Sequence, residues 1–291
     1  MRRLLATLTT TLTLLTATAG VANADNVDQP PGSLPIPDGP APAWIVADMD
    51  TGQVLAGRDM YAPHPPASTI KTLLALVVLD EVPNLDTTVV ASNPNTLVEC
   101  NCAGVRPGRI YTARQLLDGL LLVSGNDAAN TLADMVGGYQ AAVDKMNAKA
   151  VTVGATNTHA TTPSGLDGAG GSGWTTPHDL AVIFRAAMAN PTFAQITSQP
   201  VAMFPTDAGE KPLVNQDELL ARYPGAIGGK TGFTDAARKT FVGAADRNGR
   251  RLVIAMMYGL VREGGPTYWD QAAALLDWGF AQNPAESVAQ L

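Results

Sequence analysis

The sequence predicts an α+β domain: an antiparallel sheet built from N- and C-terminal strands, with a helical subdomain inserted between them. Three observations predict it. Two short apolar runs, 43–49 and 53–57, flank the turn Asp50-Thr51-Gly52 near the N-terminus. Helical patterning then fills 67–80, 112–150 and 176–188. Strand-like runs return at 226–232, 240–245 and 252–258. Helices segregated from strands that must still meet in one sheet give an α+β architecture.

Each element has a local reason. The run 67–80 carries Ile70, Leu73, Leu74, Leu76, Val77 and Leu79, apolar on nearly every face, which predicts a buried helix. Its first turn nevertheless holds Ser68 and Lys71, which an apolar core would not choose. Thr112-Ala113-Arg114-Gln115 reads as a capping box that opens the next helix. Leu116, Leu117, Leu120, Leu121 and Leu122 give that helix a wide apolar face. Ser124-Gly125-Asn126 interrupts it, a second run follows from 128 to 136, and Gly137-Gly138 ends that run. Thr176-Pro177 suits a helix cap followed by the first helical position. Asp246-Arg247-Asn248-Gly249 turns between the last two strands, and a helix over 268–280 closes the chain.

The termini set the compartment. Arg2 and Arg3 precede an uncharged stretch, and Ala22-Asn23-Ala24 fits a small-residue cleavage site, so 1–24 reads as a signal peptide. The stretch is also long enough for a retained anchor. The expected location is outside the cytoplasm, either periplasmic or cell-wall associated and secreted. Six prolines in 25–43 predict an extended linker. The folded domain is expected at 44–281, with 282–291 a short polar tail. The formal net charge of −7 argues against nucleic acid and anionic membrane as partners. Cys100 and Cys102 flank a single residue. They read as a tight loop staple or as two unpaired thiols; the pair could instead be redox-labile or bind a soft metal, although two ligands alone do not make a zinc site. No metal and no cofactor are expected.

Three short motifs carry chemistry. In Ser68-Thr69-Ile70-Lys71 the i and i+3 side chains share a helix face, so the amine can reach the hydroxyl. A buried lysine with a lowered pKa can then take the serine's proton. Ser124-Gly125-Asn126 offers a hydroxyl and an amide, although the same residues suit an ordinary turn. Gly228-Gly229-Lys230-Thr231-Gly232 lies in strand context, where glycines permit close backbone approach and Lys with Thr suits a carboxylate. A protected edge strand would read the same way.

In this order the three motifs resemble the penicillin-binding proteins and serine β-lactamases. Pro66-Ala67-Ser68-Thr69-Ile70-Lys71, Ser124-Gly125-Asn126-Asp127-Ala128-Ala129-Asn130, Lys230-Thr231-Gly232-Phe233-Thr234 and Thr162-Pro163-Ser164-Gly165-Leu166 are similar to the low-molecular-mass D,D-carboxypeptidases, the S11 serine peptidase family. The resemblance spans about residues 44–280. It implies a β-lactamase/transpeptidase-like fold and a carboxypeptidase that removes the terminal D-Ala of peptidoglycan stem peptides ending in D-Ala-D-Ala. β-Lactam antibiotics would acylate the same serine. Ser68 would be the nucleophile, Lys71 the base and Ser124 a proton relay. Asn126 would position the substrate amide. Lys230, Thr231, Gly232, Phe233 and Thr234 would line the substrate site, with Lys230, Thr231 and Thr234 meeting the terminal carboxylate. The N–H groups of Ser68 and Phe233 would form the oxyanion hole. Arg262 is a further candidate for holding that carboxylate. Ala237-Arg238 stands where the family commonly has a glycine. No C-terminal membrane anchor is expected.

The alternatives are a serine β-lactamase and a sensor that is acylated without turnover. The former needs a glutamate to activate water. Only Glu210 and Glu218 lie between Asn126 and Lys230, neither in a fitting setting. The run Gly168–Gly173 matches a dinucleotide-binding pattern but follows no strand, so it reads as a loop.

Overall fold

A computed structural model of the chain describes residues 27–168, 171–260 and 263–291. From the N-terminal side come strands β1 (Val27–Asp28), β2 (Ala43–Asp48) and β3 (Gln53–Arg58). From the C-terminal side come β4 (Ala226–Thr234), β5 (Arg238–Arg247), β6 (Arg250–Gly259) and β7 (Ala289–Gln290). They form one antiparallel sheet in the order β1-β3-β2-β6-β5-β4, with β7 also paired to β3. The ends of the chain therefore meet at the β2–β6 seam, where Trp44 lies opposite Met256 and Ile45 opposite Ala255.

Every residue of β2 is buried, because both faces of the sheet are covered. Alternation sends Trp44 and Val46 to one face with Leu252, Ile254, Leu275 and Leu276. Ile45 and Ala47 go to the other with Leu73, Leu116 and Phe184. The inserted block supplies α1 (Lys71–Glu81), α2 (Ala113–Leu122), α3 (Asn126–Met135), α4 (Tyr139–Val153), α5 (Pro177–Met188) and α6 (Pro191–Ser198). The C-terminal helix α7 (Tyr268–Ala281) covers the opposite face. α1 packs against α2, α3, α4 and α5, which is why its sequence is apolar all round. The cap signals operate as read: Thr112 and Gln115 form a reciprocal capping box, and the Asp179 N–H donates to Thr176 Oγ1 at 3.0 Å.

Two boundary readings need correction. The described part of 25–43 is no free linker. Trp278 Nε1 donates to Leu34 O at 2.9 Å, and Gln271 pairs with both the N–H and the C=O of Ala41 at 2.7 and 3.1 Å. The segment is a strap across α7. A proline-rich backbone keeps its carbonyl acceptors, and two α7 side chains use them. The polar end 282–291 is likewise docked: Val288 N–H donates to Val54 O and Leu291 N–H to Gly52 O, placing β7 on the β3 edge. The predicted signal peptide, 1–24, lies outside the described residues.

Besides β1 and the short helices Asn93–Thr96 and Leu219–Arg222, further features had no sequence expectation. They are α6, the hairpin Val201–Thr206 with Gly209–Val214, the three-residue ladder Thr88–Val90 with Ile110–Thr112, and β7.

Candidate active site

The three motifs arrive from three elements at one cleft of about 450 Å³. Ser68 lies in a 3-10 turn, Ala67–Ile70, directly before α1. Ser124 occupies the break between α2 and α3, and Asn126 opens α3. Lys230 sits on the edge strand β4. Ala67 has φ +48° and Ser124 φ +59°, left-handed values that non-glycine residues adopt at a cost of about 1–3 kcal/mol. Both therefore depend on the surrounding packing, and both aim a motif at the cleft.

Lys71 is fully buried. Its Nζ lies 2.7 Å from Ser68 Oγ, 2.7 Å from Asn126 Oδ1 and 2.6 Å from Ser164 O. Burial holds its pKa well below the ordinary lysine value, the neighbouring Lys230 pushes the same way, and Asp127 opposes both. Lys230 is also buried. It donates to Ser124 Oγ at 2.8 Å and to Thr231 O at 2.7 Å. Burial brings its pKa down to about 7, and Asp217 pulls in the opposite direction.

The α3 end is clamped. Asn126 Nδ2 donates to Glu99 O and its N–H to Asn101 O, both at 2.7 Å. The Asp127 carboxylate accepts from the N–H groups of Ala103, Gly104 and Val105 at 2.8 Å each. The loop so held carries Cys100 and Cys102, which form a disulfide. Of the readings left open by the sequence, the pair of unpaired thiols is not what is seen.

Gly232 explains itself by close approach. A Cβ there would stand 2.9 Å from Ser68 N and 3.0 Å from Thr69 N. The glycine thus lets β4 press against the turn that carries Ser68.

The predicted residues divide as follows. Ser68, Lys71, Ser124, Asn126 and Lys230 come together in two hydrogen-bonded groups, and Ser68, Ser124 and Asn126 line the same cleft. Thr231, Gly232 and Phe233 line it as well, Phe233 being 58% exposed. Thr234 is displaced: it lines an adjoining smaller pocket, and its hydroxyl accepts from Ala237 N at 3.1 Å, closing the turn to β5. Arg262 lies outside the described residues. At the position where the family commonly has glycine, Arg238 adopts φ +57°, the conformation a glycine would take without cost. Neither Glu210 nor Glu218 lines the cleft, and Glu218 pairs with Arg222. A second cavity, about 490 Å³ beside Arg185 and Arg251, contains none of the motif residues.

Sequence reasoning missed two groups. Ser164 contributes through its backbone carbonyl, which no side-chain pattern announces. Asp217 is a buried carboxylic acid raised to about 7 by burial, and its Oδ2 has no hydrogen-bond partner among the described residues. That oxygen lies 2.8 Å from where a Gly229 Cβ would be, which accounts for the glycine before Lys230.

Such a set of groups suits acyl transfer, but so would it in several peptidase and lactamase families. The comparison with known proteins decides among them. The family model for D-alanyl-D-alanine carboxypeptidases, peptidase family S11, matches residues 30–259. The chain belongs to the S11 D-alanyl-D-alanine carboxypeptidases. It is 75% identical to D-alanyl-D-alanine carboxypeptidase DacB2 of Mycobacterium tuberculosis over 92% of each chain. A crystal structure of D-alanyl-D-alanine carboxypeptidase from the same organism, 76% identical, superposes with a TM-score of 0.89 over 91% of this chain and 100% of that one. The crystal structure of the Streptomyces K15 DD-transpeptidase, 29% identical, gives 0.79 over 86% of this chain and 100% of that one. This S11 chain therefore has the penicillin-binding fold expected from the motifs and is a serine-type D-Ala-D-Ala carboxypeptidase.

Proposed function

We propose that this carboxypeptidase removes the terminal D-Ala of peptidoglycan stem peptides through an acyl-enzyme on Ser68, and that β-lactams acylate the same oxygen. The observation that carries the reading is the environment of Lys71 Nζ. A neutral amine has two hydrogens and one lone pair. Asn126 Oδ1 and Ser164 O are acceptors only, so they take the two hydrogens. The lone pair is left for the Ser68 hydroxyl 2.7 Å away. Lys71 is thereby a general base with its proton donor already in place.

The remaining roles follow from position. Lys230 in its charged form donates to Ser124 Oγ and, with Thr231, attracts the substrate's terminal carboxylate. Ser124 carries a proton to the leaving amine. Asn126 holds Lys71 and the substrate amide. The N–H groups of Ser68 and Phe233 stabilise the oxyanion. Thr234 supports this site through its turn, and Arg262 remains a carboxylate-holding candidate. Water then hydrolyses the acyl-enzyme. The working location is outside the cytoplasm at the cell wall, after export by the N-terminal segment. No helix among the described residues is long and apolar enough to cross a membrane.

The test is D-alanine release from a diacyl-Lys-D-Ala-D-Ala peptide, with fluorescent-penicillin labelling of Ser68→Ala in parallel. Steady release by the wild type and loss of label in the variant are expected. Labelling of Ser68→Ala at the wild-type rate would refute the assignment. Fast nitrocefin hydrolysis without D-alanine release would mean a β-lactamase, and acylation without either turnover a sensor.

A further inference from the structure

One wall of the cleft is the stretch Glu99-Cys100-Asn101, and the disulfide spans from Cys100 to Cys102. A bridge across a single residue removes little freedom from the unfolded chain, so its effect is local. Locally it stands between two sets of anchors. The carbonyls of Glu99 and Asn101, on either side of Cys100, are the acceptors for Asn126 Nδ2 and Asn126 N–H. The N–H groups of Ala103, Gly104 and Val105, just after Cys102, hang on the Asp127 carboxylate. Asn126 Oδ1 in turn receives a hydrogen from Lys71. The covalent ring thus contains the Asn101 carbonyl that holds the Asn126 backbone and directly follows the Glu99 carbonyl that holds its side chain, so it constrains both anchors of the residue that holds Lys71. Cys100 is exposed and faces the cleft, within reach of a small thiol, and exposed disulfides are the ones open to exchange.

We propose that Cys100–Cys102 is a thiol–disulfide exchange site, and that its redox state sets how firmly Asn126 is held and hence the acylation rate at Ser68. The second half rests on the Ser68 reading above. The co-reactant is a low-molecular-mass thiol. Its thiolate attacks Cys100 Sγ, the bridge breaks, a mixed disulfide forms on Cys100, and Cys102 leaves as a thiolate that takes up a proton. A second thiolate attacks the sulfur of the bound small molecule. The small-molecule disulfide departs and Cys100 is released as a thiolate. Two electrons pass to the protein, and oxidation by the small-molecule disulfide reverses the sequence. In the reduced state the backbone at 100–102 regains freedom, and the carbonyls of Glu99 and Asn101 no longer share one fixed geometry.

The experiment uses the full exported chain, folded, oxidised or treated with dithiothreitol. Cysteines are counted by alkylation and mass measurement. Penicillin acylation is timed, and the Asn126 side-chain amide is followed by NMR. Reduction is expected to expose two alkylatable thiols without unfolding and to shift the Asn126 amide signal. It should slow acylation by about tenfold, a loss in keeping with a slightly misplaced group, and oxidised glutathione should restore the rate. Cys100→Ser combined with Cys102→Ser should acylate at the reduced rate whether or not thiol is present. If that variant does not fold, the reversible wild-type measurement decides alone. A bridge that resists thiols until the protein unfolds would overturn the proposal. So would a reduced protein with an unmoved Asn126 amide and the oxidised rate of acylation. If even the oxidised protein is not acylated, the Ser68 reading fails, while alkylation and the Asn126 signal still judge the exchange site.

Discussion

Lys71 and Lys230 are two buried amines beside the same cleft, one on the helical side and one on the sheet, and their surroundings differ in the charges they supply. Both are buried, and burial lowers both pKa values. Lys71 begins a helix amid helices, its Nζ surrounded by two carbonyl-type acceptors and a serine, and a second cation pushes it further down. Lys230 lies on a sheet edge, with Asp217 opposing the fall. Asp217 Oδ2 faces the Gly229 backbone, and burial together with the Asp217 charge raises the Tyr268 hydroxyl well above its usual value. Similar burial thus lowers the pKa of both amines, and the nearby charges differ in the direction the proposed roles need: Lys230 pushes Lys71 further down, whereas Asp217 opposes the fall at Lys230.

The comparison can be broken most severely at Lys71. Lys71→Ala should leave the fold intact and lower acylation by about 10³-fold, the scale of a lost general base. A decrease below tenfold would remove Lys71 from that role. Lys230→Met should act on binding instead. It should raise KM for the anionic peptide by about 10–100-fold, corresponding to a lost charge-assisted contact of roughly 1.5–3 kcal/mol. Its effect on acylation by an uncharged ester should be much smaller. Equal losses with both substrates would assign Lys230 to chemistry and erase the contrast.

Asp217→Asn sharpens the same contrast through pH. Under the proposed mechanism activity requires neutral Lys71, so kcat/KM should rise with pH through the Lys71 titration. The same mechanism requires charged Lys230, so kcat/KM should fall as pH rises through about 7. Removing the Asp217 charge lowers the Lys230 pKa further, so the alkaline limb should move to lower pH while the acid limb stays. The asparagine can still accept from Leu219 N–H as Asp217 Oδ1 does at 3.0 Å. A loss uniform across pH would mean that Asp217 matters only for packing.

Gln271→Ala should be the mildest for catalysis. It cuts the strap from α7 by removing both bonds to Ala41, costing about 1–3 kcal/mol of stability. Thermal unfolding should shift down by several degrees, with neither limb of the pH profile moved.

What the sequence revealed follows the range of each interaction. Ser68 and Lys71 meet within one turn, so their spacing announced them. The buried character of α1 and the caps at Thr112 and Thr176 are equally local. The strap was misread because a proline-rich stretch has one composition whether free or docked. Its partners, Gln271 and Trp278, lie 230 and 244 positions away. Ser164 acts through a carbonyl and Asp217 through its field, and neither leaves a residue pattern. Thr234 lies inside a recognisable motif, yet the tight turn to Arg238 takes its hydroxyl away from the main cleft.

The most direct test of the central claim is NMR detection of the lysine Nζ nitrogens across pH, with Lys71 assigned by its loss in Lys71→Ala. The account predicts that Lys71 titrates far below the surface lysines and is a neutral amine in the free enzyme at the pH where acylation proceeds. A Lys71 that titrates with the surface lysines would contradict it, because a charged ammonium has no lone pair to offer Ser68.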